Sequence, residues 1–109
     1  FKSLLKSCDI GLSTVVIEKK IISSDLKFPS IKTKEDFVLW LDILKKNYQI
    51  KGLSENLAKW RKTNNSLSSS VVQKLKDGFK VYNYYMGFNY FVSIYLLICL
   101  SLNFLKKND

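Results

Sequence analysis

The chain has no histidine, a single arginine and only two cysteines among its 109 residues. Cys8 and Cys99 stand far apart, so without histidine neither a zinc site nor a redox dithiol motif can be assembled from them. Two isolated thiols read as small buried hydrophobes in a reducing compartment. Also missing are a Gly-rich phosphate loop, heptads, an internal repeat and a signal-peptide pattern at the N-terminus. The first residue is Phe1 rather than methionine, which predicts a piece of a longer protein whose other motifs lie upstream.

Acidic residues are few as well. Eighteen basic against nine acidic side chains give a net charge of +9, and all the basic residues except Arg61 are lysines. Lysine is a solvated point charge, whereas planar, bidentate recognition of phosphate favours arginine, so the excess points to a membrane surface or a loosely held polyanion. Arg61 is thereby set apart. Nucleic-acid binding is disfavoured because the aromatics gather in an uncharged stretch instead of interleaving with the lysines. A hydrophobic fraction of 47% excludes a disordered tail and predicts a packed region.

The most organised stretch is FPSIKTKEDFVLWLDILKK, residues 28–46. Phe37, Trp40, Leu41 and Leu44 fall at helical spacing, and Val38, Leu39 and Ile43 widen the apolar stripe until little polar face remains, which predicts a buried helix. Pro29 and the polar residues 30–34 stop what precedes it, Thr33 is the expected cap, and Lys45, Lys46 and Asn47 close the last turn. Glu35 and Asp36 therefore sit in the first turn of a sunken helix. Thr33-x-x-Asp36 has the form of a capping box, and acids there gain about 0.3–1 kcal/mol from the helix dipole. The alternative is a general base accepting a proton from an attacking hydroxyl.

Around this helix, the β-branched cluster in residues 13–18 predicts a strand buried on both faces, and residues 48–60 a second, short strand, with a helical turn over residues 54–58 as the alternative. Residues 61–70, rich in Ser, Thr, Asn and Lys, read as a loop, with Ser70 placed to cap a following helix. In that helix Val71, Val72, Leu75, Phe79 and Tyr82 share a face opposite Gln73, Lys74, Lys76, Asp77 and Lys80. Residues 81–105 carry no charge, and residues 88–105 meet the lower bound for a membrane span. Scattered asparagines, serines and tyrosines favour a helix lying in the interface, with a true span and a hairpin packed on the domain as alternatives. The chain thus divides into residues 1–70 and a helical, membrane-associated segment, 71–109.

Three runs, IGLSTVVIEKK at 10–20, FPSIKTKEDFVLWLDILKK at 28–46 and GLSENLAKWRKTNNSLSS at 52–69, resemble the second half of a bacterial family-2 glycosyltransferase with the A-type fold. The resemblance implies an α/β fragment, the acceptor-side half of that fold, followed by C-terminal helices. It implies that Asp36 is the catalytic base of an inverting transfer of hexosyltransferase type and that Glu35 places the acceptor or orients Asp36. Arg61 matches the arginine near the leaving diphosphate, and Ser66 and Ser68 match an S-x-S loop over the nucleotide. Trp40 is either core or a ring beneath the acceptor sugar. The longer Q-x-x-R-W form of processive synthases is absent, which implies addition of single sugars.

Implied partners are a nucleotide-sugar donor, a lipid-linked or cell-surface saccharide and the cytoplasmic face of the cell membrane. A divalent metal, Mg or Mn, is expected in the full enzyme, with ligands upstream and none in this chain. The rival expectation is a small basic membrane-associated interaction protein whose Glu35 and Asp36 only cap a helix.

Overall fold

The computed structural model describes residues 1–22, 25–59, 61 and 70–108. Its centre is helix α1, Glu35–Lys45, in which Phe37, Val38, Leu39, Trp40, Leu41 and Ile43 are all buried, as the near-continuous apolar pattern predicts. Lys34 turns the chain into α1 with a left-handed backbone, φ 66°, and offers no side-chain cap. Instead Oδ1 of Asp36 accepts the amide of its neighbour Phe37 at 2.8 Å. The expected capping box does not form, because Thr33 is engaged elsewhere.

The far end of α1 closes as a Schellman motif. Asn47 adopts φ 64°, its amide reaches the Leu44 carbonyl at 3.0 Å and the Tyr48 amide reaches that of Ile43 at 3.2 Å. Asp42, half-buried on α1, has its carboxyl pushed up by loss of hydration, against the pull of Lys45 and Lys46.

A helical hairpin packs on α1. Ser70 caps α2, Val71–Lys80, its Oγ accepting the Gln73 amide at 3.3 Å as the sequence predicts. The helix runs on through a π-helical turn, Val81–Tyr85, and Gly87 at φ 73° reverses the chain. The Asn89 side chain accepts the Val92 amide at 2.9 Å and so caps α3, Tyr90–Asn108. Val81, Tyr82, Met86, Leu96 and Leu100 join the α1 side chains and Leu4, Leu5 and Leu26 in one core, which crosses the boundary expected at residue 70.

The N-terminal turn Leu4–Lys6 is tied to this hairpin. The Tyr82 hydroxyl donates to the Leu5 carbonyl at 2.6 Å, and Asn103 donates to that of Lys6 at 2.8 Å. Burial pushes the Tyr82 phenol far above its usual range.

Three expectations are corrected here. No β-strand occurs among the described residues. Residues 13–18 begin inside a 3-10 turn, Leu12–Thr14, closed by Thr14 donating to the Gly11 carbonyl. After it Val15 and Ile17 lean on the core while Val16 is fully exposed, an extended segment that pairs with no strand among the described residues. Residues 48–59 are exposed throughout and form no strand. The cysteines are free, but Cys8 is exposed and Cys99 half-buried.

The third correction concerns the start of α2, where the expected apolar face is left open although Phe79 is half-buried and Tyr82, on the same face, is fully buried. Val71 and Val72 are 66% and 63% exposed, and Asp77 and Gly78 are the residues turned inward. Two local features turn Asp77 and Gly78 inward. Asp77 finds donors inside, and Gly78, lacking a side chain, lets α3 approach so closely that an added Cβ would meet the Leu97 side chain at 2.7 Å.

Candidate active site

Asp36 opens onto a cleft of about 630 Å³ between the mouth of α1 and the hairpin. Thr33 and Lys34 flank it on the α1 side. From α2 come Val71, Lys74 and Leu75, and from α3 Leu97, Leu100, Ser101, Phe104, Leu105 and Lys107. Ser7 and Cys8 complete the wall. The Cys8 residue keeps contact with solvent while its thiol is crowded on the protein side. Loss of hydration raises its pKa, against the opposing pull of Lys34.

The half-buried Asp36 commits Oδ1 to the Phe37 amide, so Oδ2 has no hydrogen-bond partner among the described residues. A carboxylate oxygen facing a cleft from a rigid, core-anchored helix is what a general base requires. Glu35, also half-buried, does not line the cleft.

The turn that leads into α1 and Asp36 is held by a residue absent from the sequence reading of the site. Asp77, 6% exposed, accepts through Oδ2 both the Thr33 amide at 3.0 Å and the Thr33 hydroxyl at 2.7 Å, and through Oδ1 the Gln73 amide group at 3.0 Å. Burial alone would raise this carboxyl. The hydrogen bonds from Gln73 and Thr33, with Lys80 nearby, reverse the sign and hold it below the usual carboxylate range. The signals available in the sequence were the Gln73 and Asp77 spacing of one helical turn and the adjacent Gly78.

The other expected site residues are distributed differently. Trp40, 2% exposed, belongs to the core and does not line the cleft. Its indole nitrogen finds no acceptor among the described residues. The helix spacing that places Trp40 beside Phe37 and Leu41 turns the ring inward, away from any sugar at Asp36. Arg61 is exposed and is not part of the cleft wall. Ser66 and Ser68 lie outside the described residues. Among the described residues no group of three or more histidine, cysteine, aspartate or glutamate side chains comes together to hold a metal ion.

Similarity to known proteins defines the class first: the chain belongs to the glycosyltransferases, as the three sequence runs suggest. In particular, the chain is 30% identical over 107 residues to a Bacillus subtilis (strain 168) protein named as the teichuronic acid biosynthesis glycosyltransferase TuaG. That match takes in 98% of the chain and 42% of TuaG. It is 37% identical over 78 residues to the Escherichia coli UDP-Glc:alpha-D-GlcNAc-diphosphoundecaprenol beta-1,3-glucosyltransferase WfgD, over 70% of the chain and 30% of WfgD. The chain thus spans less than half the length of either relative and corresponds to their C-terminal part. No family model and no solved structure matches it.

Proposed function

We propose that the chain is the acceptor-side portion of an inverting family-2 glycosyltransferase with the A-type fold. The enzyme moves a hexose from a nucleotide-sugar donor to a lipid-linked or cell-surface saccharide at the cytoplasmic face of the membrane. The observation that carries this reading is the open Oδ2 of Asp36 in a cleft built by the hairpin.

In the step proposed, the acceptor hydroxyl oxygen forms a bond to the anomeric carbon while the bond from that carbon to the diphosphate oxygen breaks. The electron pair leaves with the nucleoside diphosphate, and the hydroxyl proton passes to Asp36. Thr33 and Asp77 keep the base in place by fixing the turn before α1. Arg61 is proposed to offset charge on the leaving group, and Glu35 to orient the acceptor. A divalent metal is proposed to be held by residues outside this chain, and no step here passes through it.

The α3 helix supports the membrane part of the reading. Tyr90–Lys107 is long and apolar enough to cross a bilayer, and most of its surface is uncovered. The lysines at its end suit the anionic headgroup zone.

The test is Asp36→Asn in the complete enzyme, assayed for sugar transfer with donor binding measured in parallel. We expect the transfer rate to fall by roughly 10²–10⁴-fold with donor affinity retained. Near-normal turnover removes Asp36 from the base role.

A further inference from the structure

Lysine is a costly choice at position 34. The residue adopts φ 66° and ψ 21°, a left-handed conformation that glycine accepts freely and a side chain resists, and no side-chain cap offsets it. A backbone held in this way persists only when its surroundings over-determine it. Here three contacts do so. On one side Thr33 is bonded through both its amide and its hydroxyl to Asp77 of α2. On the other, the Lys34 carbonyl accepts the Val38 amide at 3.2 Å and starts α1. The third contact is made by the lysine side chain itself.

That side chain is held by packing more than by charge. Its ammonium makes no ion pair among the described residues and lies 5.8 Å from the centre of the Phe37 ring, a weak hold. Its stem crosses the bare face of Gly78: a Cβ built there would stand 3.6 Å from the lysine Cε and 3.9 Å from its Cδ. The same point lies 2.7 Å from the Leu97 side chain, so the turn before α1, α2 and α3 all meet at one glycine. A glycine at position 34 would relieve the backbone and abolish this contact.

We propose that Lys34 is a positioning residue for Asp36 and that it acts through its aliphatic stem, not through its ammonium. With Thr33 clamped from one direction and the stem seated on Gly78 from another, the turn keeps one orientation, and α1 begins with Asp36 facing the cleft. The same orientation brings the Phe37 amide to Oδ1 of Asp36 and leaves Oδ2 for the proton. This rests on the base reading above and adds a residue to which that reading gives no part. A shift of about 1 Å at a reacting group costs up to about 10²-fold in rate, so a loosened turn is read directly in turnover.

The test compares Lys34→Gly, Lys34→Met and Lys34→Arg in the complete enzyme. Steady-state kinetics, thermal denaturation and hydrogen–deuterium exchange of the peptide covering residues 33–38 are measured for each. Lys34→Gly frees the backbone and removes the stem. We expect its kcat to fall by roughly 10-fold to 100-fold with KM near wild type, its thermal midpoint to hold, and exchange in residues 33–38 to quicken. Lys34→Met and Lys34→Arg both keep an unbranched stem, and each should restore most of the rate and slow the exchange again. Added to Asp36→Asn, Lys34→Gly should cost little further rate, because both changes act on one proton transfer.

An unchanged kcat in Lys34→Gly overturns the inference. So does rescue by arginine without rescue by methionine, which assigns the effect to the charge, and so does a loss that adds in full to that of Asp36→Asn. Failure of the base reading looks different, since Asp36→Asn then turns over at a near-normal rate. Exchange reads no transfer and still decides in that case whether the stem holds the turn: equal exchange in Lys34→Gly and wild type overturns the inference whatever Asp36→Asn does.

Discussion

At the scale of single residues, the site is governed by two aspartates that local sequence treats alike. Asp36 sits where a capping acid is expected, and the base role proposed for it rests on an oxygen left over after the Phe37 amide is satisfied. Asp77 reads as an exposed acid on a polar helix face, and it is buried because Thr33, 44 positions earlier, supplies two donors. Hydrogen bonds to a charged group contribute roughly 1.5–3 kcal/mol, so Asp77→Asn should lower stability by about that order in urea unfolding at pH 7.

The sign with pH follows from the lowered folded pKa. The unfolded carboxyl titrates near pH 4, so the Asp77 contribution is complete above about that pH. It is lost as pH falls through the lower folded value. Unfolding curves of wild type and Asp77→Asn should therefore approach each other in acid and stay apart at neutral pH.

At the scale of elements, α1 was legible in outline because its apolar side chains recur all round the helix and leave one arrangement, a sunken one. Its stop was legible too. Asn47 occupies a left-handed position that costs a branched residue about 1–2 kcal/mol, so Asn47→Val should lower the thermal midpoint while Asn47→Gly leaves it near wild type.

The strands expected at residues 13–18 and 48–60 do not form among the described residues. A β-branched run states a preference, and a strand forms only when a second segment accepts its amides. Gly78 shows how closely α2 and α3 approach. Gly78→Ala gains about 0.5–1 kcal/mol of helix propensity and loses a similar amount by moving the Leu97 tip, a near-neutral change. Gly78→Val adds bulk that Leu97 and the Lys34 stem cannot both avoid, and thermal denaturation should register a loss of roughly 1–3 kcal/mol.

At the scale of the whole molecule, α3 serves two environments at once. Ser93, Leu96 and Leu100 turn into the core, and Phe91, Tyr95, Ile98 and Leu102 form a stripe on the opposite side, open to solvent. An uncovered face of that kind signals an interaction surface, here read as a membrane. Burying each large side chain there stabilises the bound state by about 1.5–3 kcal/mol. Phe91→Ser combined with Leu102→Ser should therefore weaken vesicle binding strongly while far-ultraviolet circular dichroism and the thermal midpoint stay near wild type. Leu96→Ala should do the reverse, costing about 2–5 kcal/mol of stability.

The sequence by itself determined the buried α1 helix, the Ser70 cap, the uncharged C-terminal helix and the likeness to glycosyltransferases, because periodicity, capping residues and short words are local properties. Only the tertiary structure decided which side of α2 turns inward, that Trp40 is core, and that Asp36 shares a cleft with Lys34 and Lys74. Those outcomes depend on donors and shapes contributed from distant positions: Asp77 turns inward because Thr33 supplies partners there, while Val71 and Val72 of the expected apolar face stay exposed.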